Sequence, residues 1–194
     1  MSDFDTYLKK AGDFHGHVCA GIALGTRISL AAMRELGMKP GVRNKNLIVY
    51  AEIDRCMTDA VMIVTHCSLG RRSLKHIDYG KFAATFVNTA TGKAVRATIK
   101  EHFSSEVAVE DTLKKLAGIP DNKLVTIEQV TVKIPETDLP GPPKDRAACS
   151  SCGEIINDGR EVKQGKKVLC RACAHGGYYS LQQKKDSNRG KYGF

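Results

Sequence analysis

The chain has 194 residues, of which 42% are hydrophobic and 26% charged, and its formal net charge is +9. This composition is typical of a globular protein with one sizeable core and room for a smaller second domain. No apolar run reaches the roughly 18 residues that cross a bilayer, and the N-terminus lacks a signal-peptide pattern, so we expect a cytoplasmic protein without a membrane partner. In that reducing compartment, seven cysteines favour metal or redox chemistry over disulfides.

The first half of the chain is predicted to be mainly helical. A short helix is expected over residues 3–11, with Gly12 as its stop. A long helix follows from about Cys19 to Leu36, and because it is apolar nearly all round we expect it to be buried. Residues 47–53 are predicted to form a strand, and a short helix is expected between Cys56 and Cys67.

The second half is predicted to supply most of a sheet. After a basic loop over residues 68–78, residues 81–88 and 94–100 form a hairpin. A helix capped by Ser104 or Ser105 runs to about Ala117, and residues 124–134 alternate with the period-two pattern of a strand. This order predicts an α+β fold, in which a long buried helix packs on a mainly antiparallel sheet.

A Pro-rich segment marks the predicted domain boundary. Residues 135–144 contain four prolines and a glycine, so we assign 1–134 to the core domain and 135–146 to a linker. Residues 147–180 are then a small zinc finger and 181–194 a basic tail. From Ala147 onward, nine Lys/Arg face four Asp/Glu. This excess suits an acidic or nucleic-acid partner, and equally an ordinary solvated surface.

Four cysteines of the C-terminal region have metal-ligand spacing. Cys149, Cys152, Cys170 and Cys173 form C-x2-C-x17-C-x2-C, which brings four thiolates into a tetrahedral site that suits zinc. An iron–sulfur centre and unliganded thiols are the alternatives. A closed four-cysteine site is structural rather than catalytic. The local sequence resembles the DksA/TraR-type zinc finger, and finger shape alone assigns no nucleic-acid role.

A second cluster of ligand-type residues lies near the N-terminus. His15, His17 and Cys19 are spaced two apart, so in an extended segment their side chains share a face. Cys19 begins the long helix, where backbone N–H groups favour a thiolate. With Cys56 and Cys67, this pattern predicts a transition-metal or redox site. Alternatively, each cysteine is a small hydrophobe and each histidine an ordinary hydrogen-bonding group.

Other polar residues are candidates for supporting roles. Asp59, one helical turn after Cys56, is either a carboxylate behind the site, which can also accept a proton, or an exposed helix residue. Arg71 and Arg72 either hold an anionic group or lie in a solvated loop. His76 is interpreted as loop surface.

Several ordered motifs resemble the FmdE family, which takes its name from a component of formylmethanofuran dehydrogenase. They are F-H-G-H-V-C-A-G-I-A-L-G-T-R from Phe14, C-M-T-D-A-V from Cys56, T-H-C-S-L-G-R from Thr65 and D-Y-G-K-F-A-A-T-F from Asp78. The resemblance spans roughly residues 10–135. It implies an α+β core, a homodimer and a metal-binding groove, with the family positions at His17, Cys19, Cys56, Asp59 and Cys67.

The chain departs from the family pattern at three places. It has Ala20 where the family commonly has proline, His66 where it has glycine and Arg71 where it has lysine. His66 therefore either adds a ligand or marks a site that has drifted. The chain is short for molybdenum or tungsten pterin chemistry, so the resemblance implies an accessory or stand-alone relative of that enzyme rather than its catalytic subunit.

Three functional hypotheses follow. The first is a dimeric metalloprotein whose core site binds a second transition metal, zinc among the candidates, and serves a molybdenum or tungsten oxidoreductase, with Cys19, Cys56 and Asp59 as catalytic candidates. The second is a nucleic-acid- or protein-binding zinc-finger module without catalytic activity. The third is a thiol reductase that uses Cys19 with Cys56, which requires the two sulfurs to lie within bonding range.

Overall fold

The computed structural model describes residues 2–100 and 109–180. The chain divides into two compact units, one ending at Gly141 and the other starting at Pro142. The first unit packs helices against a five-stranded, mainly antiparallel sheet, and the second is small and carries the four-cysteine cluster. The predicted fold class is thereby confirmed. None of the described helices is long and apolar enough to span a membrane.

The first unit contains five helices and five strands within the described residues. In chain order they are α1 Asp3–His15, α2 Ala20–Glu35, β1 Leu47–Ala51, α3 Met57–Thr65, β2 Leu74–His76, β3 Ala83–Asn88, β4 Ala94–Ile99, α4 Val109–Gly118, α5 Asp121–Leu124 and β5 Val125–Val130, with a 3-10 turn at Glu136–Asp138. The described part of the second unit contains β6 Arg146–Ala148, β7 Ile155–Asn157, β8 Val162–Gln164, β9 Lys167–Leu169 and α6 Arg171–His175.

The sheet of the first unit has the order β2-β1-β3-β4-β5. β2 pairs with β1 in parallel, and the other neighbours are antiparallel. Val49, Phe86 and Val95 lie side by side across three strands, and all three are fully buried. They join the core formed with α2, which is buried from Ile22 to Met33 as its apolar sequence predicts. The long helix therefore packs on the sheet.

The first helix is longer than predicted. Gly12 does not end α1, which continues to His15 and stops at Gly16, where φ is 95°. Gly12 is buried within the helix, and Val18 packs so closely on it that an added Cβ would stand 2.5 Å from Cγ2 of Val18. It therefore serves close packing, whereas Gly16 provides the left-handed cap that ends α1.

Boundaries of other elements also differ from the prediction. Residues 74–76 form a strand within the predicted loop, since a three-residue strand is too short to show a period. The last strand covers only the first part of residues 124–134, because Ala94 and Val130 are the final pair with β4. Leu124 belongs to α5. The predicted caps Ser104 and Ser105 lie outside the described residues.

The start of the Pro-rich segment is bound to the first unit. Nη2 of Arg72 donates to the carbonyl of Thr137, and Asp138 forms ion pairs of 3.8 Å with both Arg72 and Lys75. Arg72 adopts a φ of 58° in making this contact. Its guanidinium thus holds a backbone segment of the same unit, and the neighbouring Arg71 donates to the carbonyl of His66.

A buried arginine joins α2 to the segment that follows α4. Arg27, only 8% exposed, donates from Nε to Oδ1 of Asp121 at 2.5 Å, from Nη1 to the Leu116 carbonyl at 3.1 Å and from Nη2 to the Ile119 carbonyl at 2.5 Å. The ring of Phe4 lies 5.2 Å from its guanidinium carbon. A buried charge is tolerated because every one of these groups is paired.

We expect Arg27→Met to lower the free energy of unfolding by about 3 kcal/mol, because it leaves two carbonyls without their donor and removes the buried one of the two arginine partners of Asp121. Arg34→Met is the matched control: Arg34 also binds Asp121, at 3.1 Å, but its side chain is mostly exposed. The control should cost less than about 1 kcal/mol. Urea denaturation of the full chain measures both free energies of unfolding. Equal losses would show that the buried hydrogen bonds of Arg27 stabilise the fold no more than the exposed ion pair of Arg34 does.

Candidate metal centre

Three ligand-type side chains converge where the chain passes from α1 to α2. His15, His17 and Cys19 each offer an atom, and these atoms lie within 4.8 Å of one another. The convergence does not arise from one extended segment, as the spacing suggested, because His15 is the last residue of α1. Gly16 reverses the backbone at φ 95°, and His17 then lies with its ring centroid 4.8 Å from that of His15.

Asp59 on α3 fixes one of these ligands. Its Oδ2 lies 2.7 Å from Nδ1 of His15, and both side chains are mostly buried. A hydrogen bond from Nδ1 to a carboxylate sets the ring orientation and leaves Nε2 available to a metal. Asp59 is therefore paired with His15 rather than lying free on the helix surface, as the supporting role predicted for it requires.

Cys19 is the N-cap residue of α2. Its sulfur accepts a hydrogen bond from the backbone N–H of Ile22 at 3.5 Å. The cap takes one of the N–H groups that a helix start leaves without a partner. Cys19 is half-buried, so its sulfur remains accessible beside the two histidines.

Cys56 adjoins Cys19 because Gly21 has no side chain. A Cβ on Gly21 would stand 2.9 Å from Cβ of Cys56, and that same point is 3.5 Å from the Cys56 sulfur and 3.7 Å from the Cys19 sulfur. Burial, the neighbouring Cys19 thiol and Asp59 raise the pKa of Cys56 above its ordinary value. In the metal-free chain this direction favours the protonated thiol of Cys56, which lies next to Cys19.

Cys67 lies at the opposite end of α3 from Cys56. The nine-residue helix between them is about 13 Å long. Cys67 is buried in the hydrophobic core and its sulfur donates to the Leu47 carbonyl at 3.6 Å. Burial raises the pKa of this thiol. The structure therefore does not bring Cys67 to the His15–His17–Cys19 group, and it behaves as a small core hydrophobe.

Two other histidines also lie away from the group. His66 is the exposed C-cap of α3 with φ 55°, beside Cys67 rather than Cys19. His76 is exposed and ends β2 instead of lying in a loop. His66 was a candidate ligand because it replaces the glycine of the family pattern, and His76 was expected to be loop surface. Neither histidine belongs to the converging ligand group.

The second unit brings its four cysteines together. Cys149, Cys152, Cys170 and Cys173 offer sulfurs that all lie within 4.8 Å of one another, and Sγ of Cys152 is 4.0 Å from Sγ of Cys170. Sulfurs around a tetrahedral zinc ion stand about 3.8 Å apart for Zn–S bonds of about 2.3 Å. Backbone N–H groups of Cys152 and Cys170 lower the pKa of Cys149 to about 6, which favours its thiolate. The residues present fit a bound metal.

Comparison with known proteins assigns the first unit. By its fold and its side-chain clusters, the chain is an α+β protein with two groups of residues that could hold a metal ion. Residues 14–134 match the family described as FmdE, Molybdenum formylmethanofuran dehydrogenase operon, and the chain belongs to this FmdE family.

One relative and one solved structure extend the comparison. A probable S-adenosyl-L-methionine-binding protein of Archaeoglobus fulgidus is 30% identical, and the match covers 93% of this chain but only 56% of that longer protein. The crystal structure of a tungsten formylmethanofuran dehydrogenase FmdE-like protein from Syntrophus aciditrophicus has a TM-score of 0.63 and 24% identity, over 91% of this chain and 95% of that one. This second likeness shows the shared fold.

Gly21→Ala should destabilise the protein and displace Cys56. Alanine is the better helix former by about 1 kcal/mol, but the added Cβ forces a shift that costs about 1–3 kcal/mol. Gly118→Ala is the matched control, since a Cβ at Gly118 of α4 meets nothing within 4 Å. We expect lower unfolding free energy and altered Cys56 alkylation for the first variant only. Gains in stability for both would contradict the close contact.

Proposed function

We propose that this FmdE-family chain is a metal-binding protein whose core site is formed by His15, His17 and Cys19. The observation that carries the proposal is their convergence, together with the hydrogen bond between Asp59 and His15. Three protein ligands with an open position are typical of a reactive metal site, whereas four cysteines are typical of a structural one. Imidazole and thiolate ligands suit zinc and other late transition metals.

The neighbouring residues have distinct tasks in this proposal. Asp59 orients His15, and Cys19 supplies a thiolate held at the start of α2. Cys56 lies beside Cys19, so its thiol would be a neighbour of the bound metal and could exchange a proton with a molecule held there. When bound, the metal would supply Lewis-acid or redox chemistry.

The cysteine cluster of the second unit is proposed to hold a structural zinc ion. A module of about 40 residues buries too little apolar surface to fold on hydrophobic packing alone. Among its described residues, Cys149, Ile156 and Leu169 form a small buried core. Metal binding would therefore supply much of its folding free energy. A finger of the DksA/TraR type is the shape we propose for it.

We further propose that the protein is an accessory to a molybdenum or tungsten oxidoreductase of the formylmethanofuran dehydrogenase kind. The description of its family supports this role. A cytoplasmic homodimer is the form we propose, and exposed Phe14 and Tyr79 on the first unit offer apolar surface for association. We do not propose S-adenosyl-L-methionine binding for this chain, because it spans little more than half of the longer archaeal relative whose name carries that property.

We expect two metal ions per purified chain, one from each cluster, because both clusters offer convergent ligands. The double variant His17→Ala/Cys19→Ser should lose one ion and keep the other, and elemental analysis by mass spectrometry measures this stoichiometry. Asp59→Asn should weaken the core metal about tenfold or more.

Cys67→Ala is the cysteine control for these variants, since Cys67 lies in the core away from the ligand group. It should retain both ions. One ion in the wild type that survives His17→Ala/Cys19→Ser would leave the second unit as the metal site and overturn the core proposal.

A nucleic-acid- or protein-binding module is the second candidate. Tyr178 and Tyr179 follow the finger cysteines, form an edge-to-face pair at 5.2 Å and are both exposed. Exposed aromatic rings on a basic chain suit the stacking of unpaired bases. This observation favours single-stranded nucleic acid among the partners of this second candidate.

Under this second candidate, Tyr178→Ala/Tyr179→Ala should weaken binding to a labelled single-stranded oligonucleotide by about thirtyfold or more, because two stacking rings are lost. Affinity should also fall steeply with salt. Fluorescence anisotropy measures both effects, and Tyr79→Ala, an exposed tyrosine of the first unit, serves as control. Lack of binding by the wild type at low salt would eliminate this candidate.

A further inference from the structure

A cleft of about 550 Å³ opens beside the first turn of α2. Ala20 and Gly21 form part of its wall, and Gly21 is the residue next to which the sulfurs of Cys19 and Cys56 lie. Small-molecule sites typically enclose about 300–1,000 Å³. The cleft therefore has the size of an organic-ligand site, and it shares a wall residue with the thiol pair.

The lining of the cleft is largely apolar. Leu24 is buried, whereas Ile53, Phe82 and Ile99 pack against the core and are only partly covered. Partly covered apolar side chains that face one concavity favour the burial of a ligand's apolar surface.

The two basic side chains that line the cleft differ in whether they are paired with a carboxylate. Arg96 lines it, but its Nε and Nη2 bind the buried carboxylate of Glu52 at 2.7 and 2.8 Å, and Nη1 lies 3.4 Å from Glu128. Lys81 also lines the cleft, with Nζ 5.9 Å from the ring centroid of Tyr79, and within residues 2–100 and 109–180 it forms no ion pair. A lysine without a carboxylate partner among the described residues is thus part of the lining of an apolar cleft.

We propose that this cleft binds a small organic anion, with its apolar body against Leu24 and Phe82 and its acidic group at Lys81. Such anions are then the substrate class of the adjoining His/Cys site. Only this last statement rests on the proposed function, since binding in the cleft needs no metal.

Two fluorescent probes of one shape test the charge requirement. 8-Anilino-1-naphthalenesulfonate carries an anionic group, and N-phenyl-1-naphthylamine is the same ring system without it. We expect the anionic probe to bind the full chain about fivefold more tightly, which is the effect of one partly exposed ion pair. Lys81→Gln should remove this preference, and the control Lys133→Gln, at an exposed lysine outside the cleft, should retain it. An unchanged preference in Lys81→Gln would overturn the proposal.

A filled cleft tests the location independently. Thr98 lines the cleft, and Thr126, its partner on β5, does not. Thr98→Trp should weaken both probes at least tenfold, while Thr126→Trp should leave both affinities within about twofold of wild type. Equal affinities in the two variants would place the probes elsewhere and overturn the proposal. The Lys81→Gln comparison decides the matter if either tryptophan variant fails to fold.

The link to the His/Cys site has its own measurement. The probe titration is repeated on His17→Ala/Cys19→Ser. If this variant still prefers the anionic probe, anion binding in the cleft is supported whether or not the core metal is lost. In metal-stripped wild type, saturating anionic probe should slow alkylation of Cys19 and Cys56 by iodoacetamide at least twofold. An unchanged rate overturns the link to the thiols and leaves the metal proposal intact. A metal content that the double variant shares with the wild type, with probe binding retained, overturns only the metal proposal.

Discussion

The close contact between α2 and α3 is the constraint on which the core depends. A Cβ on Gly25 would stand 2.9 Å from the Cα of Met57, so the two helices approach at backbone distance. The same approach one turn earlier, at Gly21, places Cys56 beside Cys19. Because side chains are absent at these two positions, one interface determines both the packing of the core and the spacing of the thiols.

The turn after α1 completes the site from the other side. Gly16 adopts a left-handed conformation that most residues avoid, and it redirects the chain between His15 and His17. The ring of His15 then reaches Asp59 on α3, so the ligand segment is tied to the same helix that carries Cys56. The local conformation of Gly16 and the packing of α1 on α3 thus together position the side chains of this ligand group.

Sequence patterns were informative where the chemistry is local. The cysteines of the second unit come in pairs at fixed spacing, and the apolar run of α2 is long, so both features were predictable. The position of Cys67 relative to the ligand group could not be predicted, because it depends on which end of α3 faces α2. The same holds for the pairing of Asp59 with His15 across 44 positions and for the cleft lined by Gly21, Lys81 and Thr98, which only the folded sheet brings together.

If the core site binds metal as proposed, the hydrogen bond between α1 and α3 would make that site part of the folding equilibrium. In the unfolded chain Asp59 is far from His15, so a metal ion that prefers the assembled ligands binds the native state and not the denatured one. By mass action, free metal at a hundred times its dissociation constant adds about 2.7 kcal/mol to stability. The docking of α1 on α3 would then vary in strength with metal supply, and the stability of the fold would report the metal concentration around it.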